Sequence, residues 1–176
     1  MGDQQLSTVA LIAAEADHEL ADRLEALNKI AASSAQAMLA GPAAMQASLE
    51  QRVIPASLFN GGIIVCDMDG NAVADFPVTT GRRGVNYREI DVIAAALREG
   101  RSTIGEPVIG KKLGVPVFSM AAPVRDAQGK MIGAVAGIIN LAIPGFFDQI
   151  TGSSYGKTGA YVLASPRSRL IVAASD

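Results

Sequence analysis

The chain has few of the residues that carry chemistry: one cysteine, one histidine and no tryptophan in 176 residues. A disulfide needs two thiols and a zinc site about four nitrogen or sulfur ligands, so a single chain supplies neither. Cys66 lies in the apolar run Gly62-Ile63-Ile64-Val65-Cys66 and reads as a buried strand thiol. So little cysteine suits cytoplasm and periplasm equally. His18 stands among acidic residues of a helical stretch, far in pattern from the serines of the strand-rich part, which leaves a Ser-His-Asp triad without a base. With 5% aromatics and a formal net charge of −2, there is neither a stacking platform for bases nor a global basic field, so nucleic acid is a poor partner.

Long apolar runs are scarce as well. Residues 131–147 form a long, strongly apolar uncharged stretch, short of the roughly 20 residues a membrane span requires. The stretch has a Gly133-to-Gly137 small-residue spacing, but it holds Asn140 and Pro144 and follows a turn. A buried strand and a short helix fit better. Met1-Gly2-Asp3-Gln4-Gln5 lacks the basic n-region of a signal peptide, and the abrupt start looks like a fragment boundary.

What is present is enough for one ordinary domain with a real core: 49% apolar and 18% charged residues. Over the first forty residues Leu6, Val9, Ala13, Ala16, Leu20, Leu24, Leu27, Ala31, Ser34 and Met38 recur at three- and four-residue steps, the mark of a long helix. Its narrow apolar seam suits either a helical dimer or packing along its own domain. Gly41-Pro42 breaks the pattern and starts a second helix over 43–53.

After Gly61-Gly62 the period changes to that of strands. Residues 63–66 and 72–76 flank Asp67-Met68-Asp69-Gly70-Asn71 as a hairpin. That pentapeptide resembles the start of a calcium loop but lacks the later ligands, so it reads as a turn. A polar loop over 81–86 leads into a helix over 87–98 closed by Gly100. Strands follow over 103–109, 115–124 and 130–141, the last two joined by a tight turn in which Asp126 opens and Gly129 supplies the positive φ. A short helix over 144–150 and a last hairpin, 160–164 with 170–174, complete the reading. A helix laid on such a sheet encloses a small ligand more readily than it builds a catalytic centre.

The remaining motifs are weak. Gly152-Ser153-Ser154-Tyr155-Gly156-Lys157-Thr158 is one residue short of a Walker A loop, and it precedes a strand rather than a helix. Asp91, Glu106 and Asp126 fall on a helix, a strand and a turn, with no shared spacing for acid–base work. No cofactor is implied. One charge bias stands out: Arg82, Arg83, Arg88, Arg98, Arg101, Lys111 and Lys112 crowd the loop, helix and turn that frame the expected pocket. They are either a solvated basic rim or a grip for an anionic ligand.

Taken in order, Leu58-Phe59, Ile63-Ile64-Val65-Cys66-Asp67, Asp69-Gly70, Gly84-Val85-Asn86, Ile104-Gly105-Glu106-Pro107-Val108, Ala122-Pro123-Val124-Arg125-Asp126 and the run 133–141 resemble the Cache family, specifically the membrane-distal module of double Cache sensors. The resemblance implies an α+β fold: a long N-terminal helix plus a PAS-like antiparallel sheet flanked by helices. It divides the chain into a signalling and dimerisation helix, 1–41, a sensor module, 42–150, and the start of a truncated second module, 151–176. It also implies an extracytoplasmic, periplasmic small-molecule sensor of a membrane-anchored bacterial receptor, non-enzymatic in itself and a homodimer through its first helix. The output it suggests first is a diguanylate cyclase, with histidine kinase or chemoreceptor next. Many members carry an Asp-Arg pair on the pocket helix, the arginine gripping a ligand carboxylate. Here the matching stretch is Glu89-Ile90-Asp91-Val92-Ile93, and Ile90 cannot donate a hydrogen bond. The expected ligand-binding set is therefore Tyr87, Arg88, Asp91 and Arg83, with Phe118, Met120 and Asn140 from the strands. The alternative is a structural or dimerisation module whose pocket is vestigial.

Overall fold

The computed structural model describes residues 2–145 together with 162–164 and 171–174. The first helix, α1, runs over Gly2–Leu39, and α2 over Pro42–Glu50. Gly41 between them takes φ 108, which a glycine adopts without strain, and Pro42 opens α2, where its missing N–H costs nothing. Strands β1 (Gly62–Cys66) and β2 (Ala72–Phe76) form the expected hairpin. The Asp67 carboxylate accepts from the backbone N–H groups of Asp69 and Asn71, at 3.0 and 2.9 Å, and so acts as a turn former.

Beyond β2 the chain makes a short 3₁₀ turn, Val78–Thr80, and then α3, Asp91–Ala94, whose last turn widens to π geometry over Ala95–Glu99 before Gly100. The helix expected from residue 87 thus begins four residues later. Tyr87 N–H is committed to the Gly70 carbonyl at 2.8 Å and Arg88 N–H to the Asn86 side chain at 3.0 Å, so tertiary bonds hold 87–90 as a turn. Strands β3 (Thr103–Ile104), β4 (Val108–Ile109), β5 (Pro116–Arg125) and β6 (Met131–Asn140) follow. Pro107, with no N–H to give a ladder, accounts for the break of the expected strand 103–109 into two. Pro144 and Gly145 are not helical, and the rest of that expected helix, like the Gly152–Thr158 motif, lies outside the described residues. A separate pair, β7 (Val162–Ala164) and β8 (Ile171–Ala174), is antiparallel, as the final hairpin requires.

The six-stranded sheet is antiparallel, with the order β2-β1-β6-β5-β3 and β4 also on β5. Its two faces are covered differently. On one, α1 packs against β5 and β6 and α2 against β2, burying Leu27, Met45, Leu49, Val65, Met120, Val124 and Val135 completely. The α1 seam from Ala16 onward is therefore used within the domain, while Val9 and Leu11 nearer its start are exposed. The long uncharged stretch expected as a buried strand is β6, and no described helix is long and apolar enough to cross a membrane.

On the other face the sheet presents small residues, Ala121, Ala134 and Ala136, on which the short α3 segment lies with Val92, Ile93, Ala96 and Leu97. Close approach is needed here. A Cβ on Gly105 would fall 2.6 Å from Val92 Cγ1.

Candidate functional site

Between this second face and its cover lies a cavity of about 60 Å³. Its floor is Ile64 of β1, Val117 and Ser119 of β5, and Ala136 and Ile138 of β6. Its roof is Tyr87, Ile90, Val92 and Ile93 on one side and the turn 108–113 on the other. Period-two alternation puts Val117 and Ser119 on this side, while Phe118 and Met120 point to α1.

Arg82 closes one end of the cavity and is 3% exposed. Its Nε donates to Asp75 Oδ1 at 2.7 Å, its backbone N–H to Asp75 Oδ2 at 2.9 Å, and its Nη1 to the Gly61 carbonyl at 2.8 Å. Nη2 reaches the Phe76 carbonyl at 3.1 Å and the same Asp75 oxygen at 2.7 Å. Thr80 Oγ1 adds a bond to Asp75 Oδ2 at 2.6 Å, and Gln46 on α2 brackets the Asp75 backbone with bonds of 2.9 and 3.0 Å. Expected as part of a basic rim, Arg82 instead belongs to a buried, fully bonded ion pair that ties the loop 77–82 to β1 and β2. A paired guanidinium of this kind shapes the wall and has few donors left for a ligand.

The polar group with nothing to do is Tyr87. Its side chain lines the cavity, the residue is 8% exposed, and its hydroxyl is buried without a hydrogen-bond partner among the described residues. Burial holds the phenol above its ordinary pKa, with the Arg82 charge pulling the other way, so it stays a neutral donor at physiological pH. Lys111 lies over the Tyr87 ring, 5.9 Å from its centroid, and donates to the Asn86 carbonyl at 3.0 Å. Lys112 lines the same mouth. A groove of about 110 Å³ runs alongside, walled by the shared residues Ile90, Val92, Val108 and Ser119 and carrying Glu89, Asp91 and Glu106.

Of the residues expected from sequence, Tyr87 lines the cavity and Asp91 the neighbouring groove. Arg83 and Arg88 are exposed and line neither. Phe118 and Met120 are core on the α1 side. Asn140 closes the end of β6, its N–H donating to Asn60 Oδ1 at 2.7 Å and its own Oδ1 accepting from Ala142 N–H at 2.8 Å. Sequence reading missed Ser119 and Val117, which only the sheet's facing could identify, and left Lys111 and Lys112 as members of a general charge bias. A larger space of about 490 Å³ lies between α1 and the loop 56–60 and is lined also by Pro144 and Gly145. Cys66 is buried, and no group of acidic, histidine or cysteine side chains among the described residues could hold a metal.

No protein-family model matches the chain, and no curated protein matches its sequence. Solved structures do match. The ligand-binding domain of the Pseudomonas fluorescens chemoreceptor CtaA, in complex with L-serine, superposes with a TM-score of 0.71 at 22% identity, over 93% of this chain and 68% of that one. The corresponding domain of the Pseudomonas aeruginosa amino acid chemoreceptor PctB, with L-Gln, gives 0.74 at 22% identity, over 93% and 65%. The sensor domain of the V. cholerae histidine kinase DctB gives 0.76 at 15% identity, over 98% and 66%. The chain thus spans about two thirds of the length of these structures. The chain therefore shares the α+β fold of these ligand-binding and sensor domains, a long N-terminal helix on an antiparallel sheet flanked by helices.

Proposed function

We propose that this chain is the small-molecule sensor module of a bacterial transmembrane receptor, exposed on the extracytoplasmic side, and that its ligand binds between the 87–93 segment and the β5–β6 face. The observation that carries this reading is the unpartnered, buried Tyr87 hydroxyl on the wall of a cavity. A buried polar group without a partner is costly, and a ligand oxygen would relieve it. The neighbours supply the context: one binds L-serine, one L-Gln, and the third belongs to a histidine kinase. They favour a chemoreceptor or kinase output over the diguanylate cyclase that the sequence resemblance put first. In this reading α1 carries the signal, as a homodimer contact continuous with a membrane anchor in the parent receptor.

A second reading rests on a measurement of its own. At about 60 Å³ the cavity is well below the roughly 300–1,000 Å³ of typical ligand sites, as a vestigial pocket in a structural module would be. A thermal-shift screen with carboxylates, amino acids, polyamines and purines separates the two. Ligand binding to the folded state raises the melting temperature, by an amount that grows with ligand concentration. No shift with any class, at millimolar concentrations, would leave the structural module standing.

A further inference from the structure

Resting on the reading of this cavity as a ligand site, we infer that its occupant is a short monocarboxylate with an aliphatic tail and no ammonium group. The walls are hydrophobic: Ile64, Ile90, Ile93, Leu113, Val117 and Ile138 leave a branched hydrocarbon nothing to displace but water. Every charged side chain lining the cavity is a cation, Arg82, Lys111 or Lys112. The Arg82 charge is answered by Asp75, whereas the two lysines sit at the mouth, and Lys112 has no ion pair among the described residues. Their charge favours an anion at this end.

The same inventory rejects an ammonium. Asp91 and Glu106, which could accept from one, line the adjacent groove, and Ile90, Val92 and Val108 stand in the shared wall. Asp75 does not line the cavity and already accepts from Arg82 and Thr80. A cationic group drawn into the cavity would lose its water and find no acceptor of opposite charge. The carboxylate, by contrast, has Tyr87 Oη as a donor that no group among the described residues uses, with Ser119 beside the same space. Size agrees. A water needs about 10–15 Å³ measured in this way, so about 60 Å³ holds roughly four to six non-hydrogen atoms.

Calorimetric titration of the chain with isobutyrate, isobutyramide and L-alanine, three molecules of one size, tests the inference. Isobutyrate is expected to bind, isobutyramide at least about tenfold more weakly, and L-alanine without measurable heat, because hydrogen bonds to a charged group are roughly twice as strong as neutral ones. Tyr87→Phe is expected to weaken isobutyrate about tenfold to a hundredfold. Lys112→Ala, on the exposed rim, should weaken it a few-fold, less so at high salt. L-alanine binding as tightly as isobutyrate would overturn the inference while leaving the ligand site in place. Unchanged isobutyrate affinity in Tyr87→Phe would overturn it too. Silence from all three probes, and from the wider thermal-shift panel, would remove the site itself.

Discussion

Replacing Arg82 by Met removes a charge that the fold has already enclosed. Asp75 is 0% exposed, and with Arg82→Met its carboxylate keeps bonds from Thr80 Oγ1 and the backbone N–H of residue 82 but loses its counter-ion. Breaking a buried pair in this way costs about 3–5 kcal/mol, because the remaining charge stays desolvated. The Gly61 and Phe76 carbonyls lose their Arg82 donors as well, which puts the expectation toward the upper end of that range. For a domain of this size about 1 kcal/mol moves the melting temperature by roughly 2–4 °C, so a fall of about 10 °C or more is expected. Urea titration followed by far-ultraviolet circular dichroism measures it directly. Adding Asp75→Asn should return part of the loss, with a coupling of about 2–3 kcal/mol across the double-mutant cycle. A loss below about 1 kcal/mol for Arg82→Met, or strict additivity, would refute the account of this pair as a closed buried unit.

Tyr87→Phe is expected to raise the stability of the unliganded domain by about 1 kcal/mol, since it deletes a buried hydroxyl that has no partner; a lower melting temperature would mean that the hydroxyl is satisfied in solution. Gly62→Ala should destabilise the sheet by about 2 kcal/mol or more: at φ 91 a Cβ would come within 2.2 Å of the Phe76 carbonyl oxygen, a backbone atom that cannot swing away. Burial pushes the Cys66 thiol up to about 12, so iodoacetamide at pH 8 should leave it unmodified until denaturant is added. The same shift makes the unfolded chain the stronger acid, so the Cys66 contribution to stability is complete below about pH 8.5 and is lost as pH rises toward about 12, a slope that Cys66→Ala should reduce.

Much of the scaffold is legible in the sequence because it is local. Gly41-Pro42, Asp67 with Gly70, and Asp126 with Gly129 write their turns out, and the heptad-like seam from Ala16 writes out α1. The site is less legible for a reason that lies in the sheet. Strands β5 and β6 are buried on both faces, so nearly every residue is apolar or small and alternation cannot say which side holds the cavity. Phe118 and Met120 are the larger side chains, yet they serve α1, whereas Val117 and Ser119 face the space. The Asp75–Arg82 pair was hidden differently. An aspartate in a strand and an arginine in a polar loop both read as surface, and only the closure of the 77–82 loop onto β1 brings them together.

The ion pair also lies on one route from the cavity to the long helix. Arg82 lines the cavity and holds the Gly61 carbonyl, while Gly61 N–H donates to the carbonyl of Ile138, itself a cavity residue, at 2.9 Å. Four residues before Gly61, the Ser57 carbonyl accepts from Arg23 Nη2 on α1 at 3.2 Å, and Arg23 is 5% exposed and also paired with Glu19. Ile139, next to Ile138 on β6, packs on the α1 side. A ligand that shifts Ile138 or the 57–61 loop therefore changes contacts that α1 makes directly, with no rearrangement of the sheet needed between. Such a shift biases α1 only by the difference in binding energy between the two arrangements. Under the proposed function, a small ligand at Tyr87 would supply coupling of about 1–3 kcal/mol, too little to unseat the buried seam from Ala16 to Met38. In a receptor built on this module, the signal would accordingly be a displacement of α1 with its packing on the sheet intact.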